Sequence, residues 1–149
     1  MNPTQKQTTP ARPTIADILR GSANIIDTNG WHTHSLHDAE NPYPSLAAVC
    51  AVGGMYLACG ILPGTVGYRP APVNDACDYF ASWLLSQHPE YDSLFRDYCA
   101  GLDPVEVADL PIRFNDTPDR IQQEVTAALR AAANCWDANQ RGITGPAVN

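Results

Sequence analysis

Apolar positions recur at helical spacing along several stretches of the chain, and turn-forming residues separate them. Ile15, Ile18, Leu19, Ser22, Ile25 and Ile26 fall on one helix face. Thr14 can cap that helix, and Asp17 at its third position suits the positive end of the helix dipole. Gly30 then supplies a left-handed stop, with Trp31 placed to fold back on Ile26 in a Schellman motif. After a polar loop from His32 to Pro44, Ser45 can cap a second helix through Ala47, Val49, Cys50, Val52, Met55, Leu57 and Ala58. Gly60 would end it, with Ile61 against Tyr56. This helix is apolar nearly all round and belongs at the centre. Gly53 and Gly54 each cost about 1 kcal/mol against alanine there, so they mark a place where another helix or backbone comes very close.

A Pro/Gly-rich loop over 62–73 precedes a third helix, capped by Asn74, carrying Ala76, Cys77, Phe80, Ala81, Trp83 and Leu84 inward and stopping at Pro89. A shorter helix is predicted over 92–100, and a helical turn over 103–108 from the Asp103-Pro104-Val105-Glu106 capping pattern. Residues 111–114 read as extended. Thr117 as N-cap and Pro118 at the first helical position open the final helix, whose stripe is Ile121, Val125, Ala128, Leu129, Ala132 and Trp136. The whole reads as an all-α single domain of about five helices over 14–142. A flexible Pro- and Thr-rich arm over 1–13 precedes it, and a loose tail over 143–149 follows.

Composition narrows the function classes. A chain of 149 residues can bury about 68–70% of the surface its unfolded form exposes, so it needs no disulfide or metal to fold. Sixteen acidic against nine basic residues give a net charge of −7, which disfavours nucleic acid and anionic membranes as partners. No apolar run reaches the ~18 residues of a membrane span, and the N-terminal residues lack a secretory pattern, so a cytoplasmic location is expected. Cys50, Cys59, Cys77, Cys99 and Cys135 form no Cys-x-x-Cys pair and read as reduced, buried small hydrophobes within helices.

Several positions together resemble a known family. Gly30-Trp31, Cys50 followed by Gly53-Gly54, Phe114-Asn115-Asp116, then Arg120, Glu124-Val125 and Leu129-Arg130 are similar to the signature of small bacterial and phage proteins, common in actinobacteria, that form a domain of unknown function. The resemblance covers residues 14–133. That pattern has Gly where Asp119 stands and Thr where Ile121 stands. The resemblance implies a fold and lends no activity.

Two constellations could carry chemistry. In the first, Asn115, Asp116, Asp119, Arg120 and Glu124 gather around a helix start. A cation in a first turn is disfavoured by about 0.3–1 kcal/mol, so Arg120 needs an acidic partner, and Asp116 and Glu124 are the candidates. Asn115 would bond local backbone and fix 111–114. Alternatively Trp31, Asn115, Asp116 and Arg120 bind a ligand, with Arg120 and the helix amides holding an anion. The surrounding acids favour the structural reading. In the second, His32, His34 and His37, beside Asp38 and Glu40, could supply zinc ligands, although the spacing is not diagnostic and a solvated loop is the plainer reading.

No nucleotide loop, nucleophile elbow or zincin motif is present, and no catalytic residue or cofactor is assigned. The expected function is a non-enzymatic accessory or regulatory protein, cellular or phage-borne, that binds another protein. The alternative is a small enzyme or ligand-binding domain whose site joins the His32–Asp38 loop to the Asn115–Arg120 corner.

Overall fold

The computed structural model describes residues 11–91 and 109–143, and over these the fold is all-α. The helix expected over 92–100 and the turn over 103–108 lie outside the described residues, as do Cys99, most of the arm and most of the tail.

Helix α1, Ile15–Asn29, begins with a complete capping box: Thr14 Oγ1 accepts from the Asp17 amide at 3.1 Å and Asp17 accepts from the Thr14 amide at 2.9 Å. Its end departs from expectation. Gly30 has φ 107° and ψ 160°, a region essentially restricted to glycine, and the chain leaves as an extended segment instead of closing a Schellman turn. The physical reason is a better partner. The Gly30 carbonyl accepts from the Val49 amide and the His32 amide donates to the Val49 carbonyl, pulling Trp31 alongside Val49.

That pairing also halves the second helix. Pro44–Leu46 is a 3₁₀ turn, residues 47–50 run extended between 30–32 and 36–38, and α2 spans only Ala51–Ala58. Ala47, Val49 and Cys50 are buried as expected, but by bridges to distant backbone. The C-terminus of α2 is the Schellman motif read from the sequence: Gly60 has φ 73°, its amide donates to Leu57, and the Ile61 amide donates to the Tyr56 carbonyl.

The glycine pair of α2 does bring segments together, in two ways. A Cβ on Gly54 would run into the Ser22 side chain of α1, and Gly21 of α1 in turn faces Ala58, whose Cβ would lie 2.8 Å from an added one. These are the helix crossing. A Cβ on Gly53 would strike the Leu36 carbonyl, so its neighbour is a loop. Ser22, fully buried, donates to the Ala51 carbonyl at 2.8 Å and ties α1 to the start of α2.

Helix α3, Ala71–Gln87, starts three residues before the expected Asn74 cap, because Pro70 and Pro72 suit a first turn and the Asn74 amide already donates to the Pro70 carbonyl. Residues 111–114, expected to be extended, fall within a short helix α4, Leu110–Asn115, with Pro111 tolerated in its first turn. The final helix α5 is Gln122–Ile143 and does not begin at Thr117. Asp119 adopts φ 65°, which breaks the helix there, and the Thr117 hydroxyl donates back to the Arg113 carbonyl. The Glu124 carboxylate instead accepts from the Ile121 amide, leaving Ile121 exposed outside the stripe.

Helices α1 and α5 form the most extensive pairing. They run antiparallel: Arg20 reaches Asp137 and Asn134, while Arg130 reaches Asp27 and Asn24. One core, with Ile18, Leu19, Ile26, Val52, Met55, Phe80, Leu84, Phe114 and Leu129 among its members, lies between the helices.

Candidate functional site

Helix α4 ends on Phe114 and Asn115, and that end is what organises the polar corner. Asn115 is fully buried. Its Oδ1 accepts from the Trp31 indole Nε1–H at 2.8 Å and from the Ala51 amide at 3.1 Å. Its Nδ2 donates to the His32 carbonyl at 3.0 Å and to Asp116 Oδ1 at 2.8 Å. Only this orientation of the amide matches two donors with an oxygen and two acceptors with a nitrogen. All four hydrogen-bonding positions of the side chain are thus used within the protein.

The Ala51 bond has a further meaning. The first amides of any α-helix lack partners inside the helix, and α2 buries its start, where bare amides would be costly. Asn115, 64 positions away in sequence, caps the first of these, and the Cys50 Sγ accepts from the Gly53 amide at 3.3 Å as N-cap. Burial pushes the Cys50 thiol above its ordinary range, the Asp116 carboxylate nearby adding to the effect, so Cys50 stays neutral as a cap.

Asp116 completes the junction. Its Oδ1 also accepts from the His34 amide at 3.0 Å, which pins the 32–37 loop to the end of α4. His34 has φ 68°, and its ring is exposed, 3.9 Å from Asp116 Oδ2. Arg120 does not pair with Asp116. Its guanidinium lies 4.0 Å over the Phe114 ring, its Nε–H donates to the Phe114 carbonyl at 3.1 Å, and Glu124 stands 3.8 Å away. Phe114 meets Phe80 edge-on at 6.1 Å and the His88 ring at 5.7 Å, so Arg120 covers the outer face of an aromatic cluster.

Trp31, Asn115 and Asp116 therefore converge with the His32–His37 loop, with Arg120 next to them over Phe114. The expected Asn115 contacts to local backbone and the Arg120–Asp116 pair are replaced by these longer-range bonds, because Asn115 sits at a helix end facing α2 and Arg120 is drawn to the Phe114 face. Among the described residues no group of three His, Cys, Asp or Glu is arranged to hold a metal ion. His32 Nε2 lies 2.7 Å from Ser35 Oγ, which itself donates to the His37 carbonyl, so two of the histidines serve the loop's own geometry. The cysteines divide: Cys50 and Cys77 are buried, Cys59 is half-buried, and Cys135 is exposed, contrary to the reading of all as core residues. Burial raises the Cys77 thiol to about 12. Cys135 is exposed on α5, outside the apolar stripe of that helix.

A groove of about 380 Å³ lies elsewhere, lined by Asn24, Ile25 and Thr28 of α1, Ser45, and Leu57 and Leu62 at the far end of α2. It shares no residue with the Asn115 corner, which caps the opposite end of that helix. The loops beside it present Tyr43, Leu46 and Leu62 at 66%, 62% and 41% exposure. Sequence reading missed this surface; its one signal is isolated apolar residues next to loop prolines, Tyr43-Pro44 and Leu62-Pro63.

These features define a small helical domain held by a polar junction between residues distant in sequence. The chain belongs to a family of unknown function (DUF6197), whose model matches residues 10–134. Comparison with curated proteins and with solved structures finds no match. No helix among the described residues is long and apolar enough to cross a membrane.

Proposed function

We propose that this domain is a non-enzymatic accessory protein that works by binding another protein through the groove between α1 and the C-terminal end of α2. The observation that carries this reading is a contrast between two places. At the Asn115 corner the polar groups are committed to one another, whereas the groove is open and bordered by large apolar side chains turned to solvent. Exposed apolar groups beside a concavity are the common mark of a docking surface.

The test is affinity capture from the native host, or from the host of the phage if the gene is phage-borne, with wild type and a Leu46→Ser/Leu62→Ser variant. Both changes are on exposed residues, so the variant should fold. A protein retained by the wild type and lost with the variant is expected. Identical captured sets would contradict the reading.

The meeting of the His32–His37 loop with Asp116 supports a second reading, a small-ligand site in which the exposed His34 ring and Asp116 Oδ2 face the ligand. His34→Ala tests this second reading, because the ring is exposed and its loss should leave the melting point unchanged. Loss of a bound small molecule in the variant fits a ligand site; identical ligand retention by variant and wild type contradicts it.

A further inference from the structure

Asn29 closes α1 and is followed by Gly30, the chain's single Asn-Gly pair. An asparagine in that setting can react with its own backbone. The Gly30 nitrogen bonds to the Asn29 Cγ, the Cγ–Nδ2 bond breaks, and the Gly30 proton leaves with Nδ2 as ammonia. Water then opens the five-membered imide at one of its two C–N bonds, giving aspartate or isoaspartate. Glycine favours the step because it has no side chain to hinder the attacking nitrogen. In the folded chain both reacting groups are held elsewhere. The Asn29 Nδ2 donates to the Ser45 carbonyl at 3.1 Å and to the Ala47 carbonyl at 3.2 Å, while the Gly30 amide donates to the Ile26 carbonyl at 2.9 Å. The Gly30 carbonyl accepts from the Val49 amide at 3.1 Å, which fixes the backbone on the other side of the attacking nitrogen. Both residues are only half-buried, so water reaches them.

We infer that Asn29 is a deamidation site gated by the fold: the pairing of 30–32 with 47–49 keeps its side chain from the Gly30 nitrogen, and a chain that opens there converts irreversibly. The product cannot restore the native contacts. A carboxylate in place of the amide turns two donors into oxygens that oppose the Ser45 and Ala47 carbonyls. It also puts a negative charge on the last residue of α1, where the helix dipole disfavours it, where Asp27 is already present and where the last turn has no basic residue. Isoaspartate adds a methylene to the main chain and so displaces Gly30 from Val49 and Trp31 from Asn115. Asn29 and Ser45 both line the groove, so conversion places a charge in its uncharged lining and frees one wall. The inference goes beyond the docking reading and stands without it.

The experiment follows deamidation of the wild-type chain at mildly alkaline pH by peptide-mapping mass spectrometry, in buffer and in denaturing guanidinium chloride. In denaturant Asn29 should convert before any other asparagine, and at least about tenfold faster than in buffer, where opening limits the reaction. Melting temperatures of Asn29→Asp and Asn29→Ala separate added charge from lost bonds, and the Asp variant should melt below the Ala variant. Equal rates in the two conditions would remove the gate. Faster conversion of another asparagine in denaturant would remove the site, and an Asp variant melting at or above the Ala variant would remove the structural consequence. Each of these results overturns the inference and leaves the docking groove to its own test.

Discussion

Replacing Asn115 by leucine would remove the four side-chain bonds that Asn115 makes at the polar junction while keeping a side chain of similar size. The Trp31 indole N–H, the Ala51 amide and the His32 carbonyl would then lose partners at a site where Asn115 is fully buried. Each stranded buried polar group costs about 1–3 kcal/mol, so three imply about 3–6 kcal/mol after partial relaxation. That is a large share of the 5–15 kcal/mol typical of a whole domain. Urea unfolding followed by far-ultraviolet circular dichroism measures it. Asn115→Asp refines the test, because an ionised carboxylate would oppose the His32 carbonyl and Asp116 with no donor, while a protonated one restores a single donor. A buried carboxyl has its folded pKa raised above the unfolded value of about 3.9. The native state then binds the extra proton between those values, so the variant's deficit relative to wild type should grow as pH rises through that window and level off above it. A loss under about 1 kcal/mol for the leucine variant, or an Asp variant whose deficit is independent of pH, would refute the reasoning.

Other expectations follow from local geometry. Gly53→Ala should cost about 3 kcal/mol or more, since its methyl meets the Leu36 backbone carbonyl; Gly54→Ala should cost about 1–3 kcal/mol, since the Ser22 side chain can shift in part. Melting temperatures rank the two, and the reverse order would be inconsistent with the packing described. At Asp119, with φ 65°, glycine should be tolerated within about 0.5 kcal/mol, whereas valine should cost about 1–2 kcal/mol. The hydrogen bond from Arg130 holds the Asp27 carboxyl below its ordinary 3.8, so the pair stabilises the fold above that pH and loses its effect as pH falls through the lower folded value. Both side chains are about two-fifths exposed, so Arg130→Ala should cost at most about 1 kcal/mol at neutral pH. A difference from wild type that persists unchanged in acid would count against the pairing.

What the sequence revealed and what it concealed have one physical division. The Thr14 cap with Asp17 in the first turn, the Gly60–Ile61 stop and the close approach at Gly54 were legible because each is written in residues a few positions apart. The false extension of α2 back to Ser45 came from an apolar run that suits either helix or buried strand. Bridges to Gly30–His32 and Leu36–Asp38 decide between them, and those contacts are distant in sequence. Thr117-Pro118 carries an ordinary helix-start pattern, yet the left-handed Asp119 and the Glu124 bond to Ile121 move the start to Gln122. The corner was recognisable as a group of residues, but the role of Asn115 was not, because its partners Trp31, His32 and Ala51 lie 64 to 84 positions away.

The capping of α2 by the sequence-distant Asn115 is the central claim, and native-state hydrogen exchange at the Ala51 amide tests it most directly. An ordinary first-turn amide has no partner in its helix and exchanges freely. If Asn115 Oδ1 holds it, Ala51 should exchange only through large-scale unfolding in the wild type, with protection within about 1–2 kcal/mol of the global stability. In Asn115→Ala, that protection should fall well below the variant's own global stability. Exchange of Ala51 at the unprotected rate in the wild type, or protection unchanged in Asn115→Ala, would contradict the account.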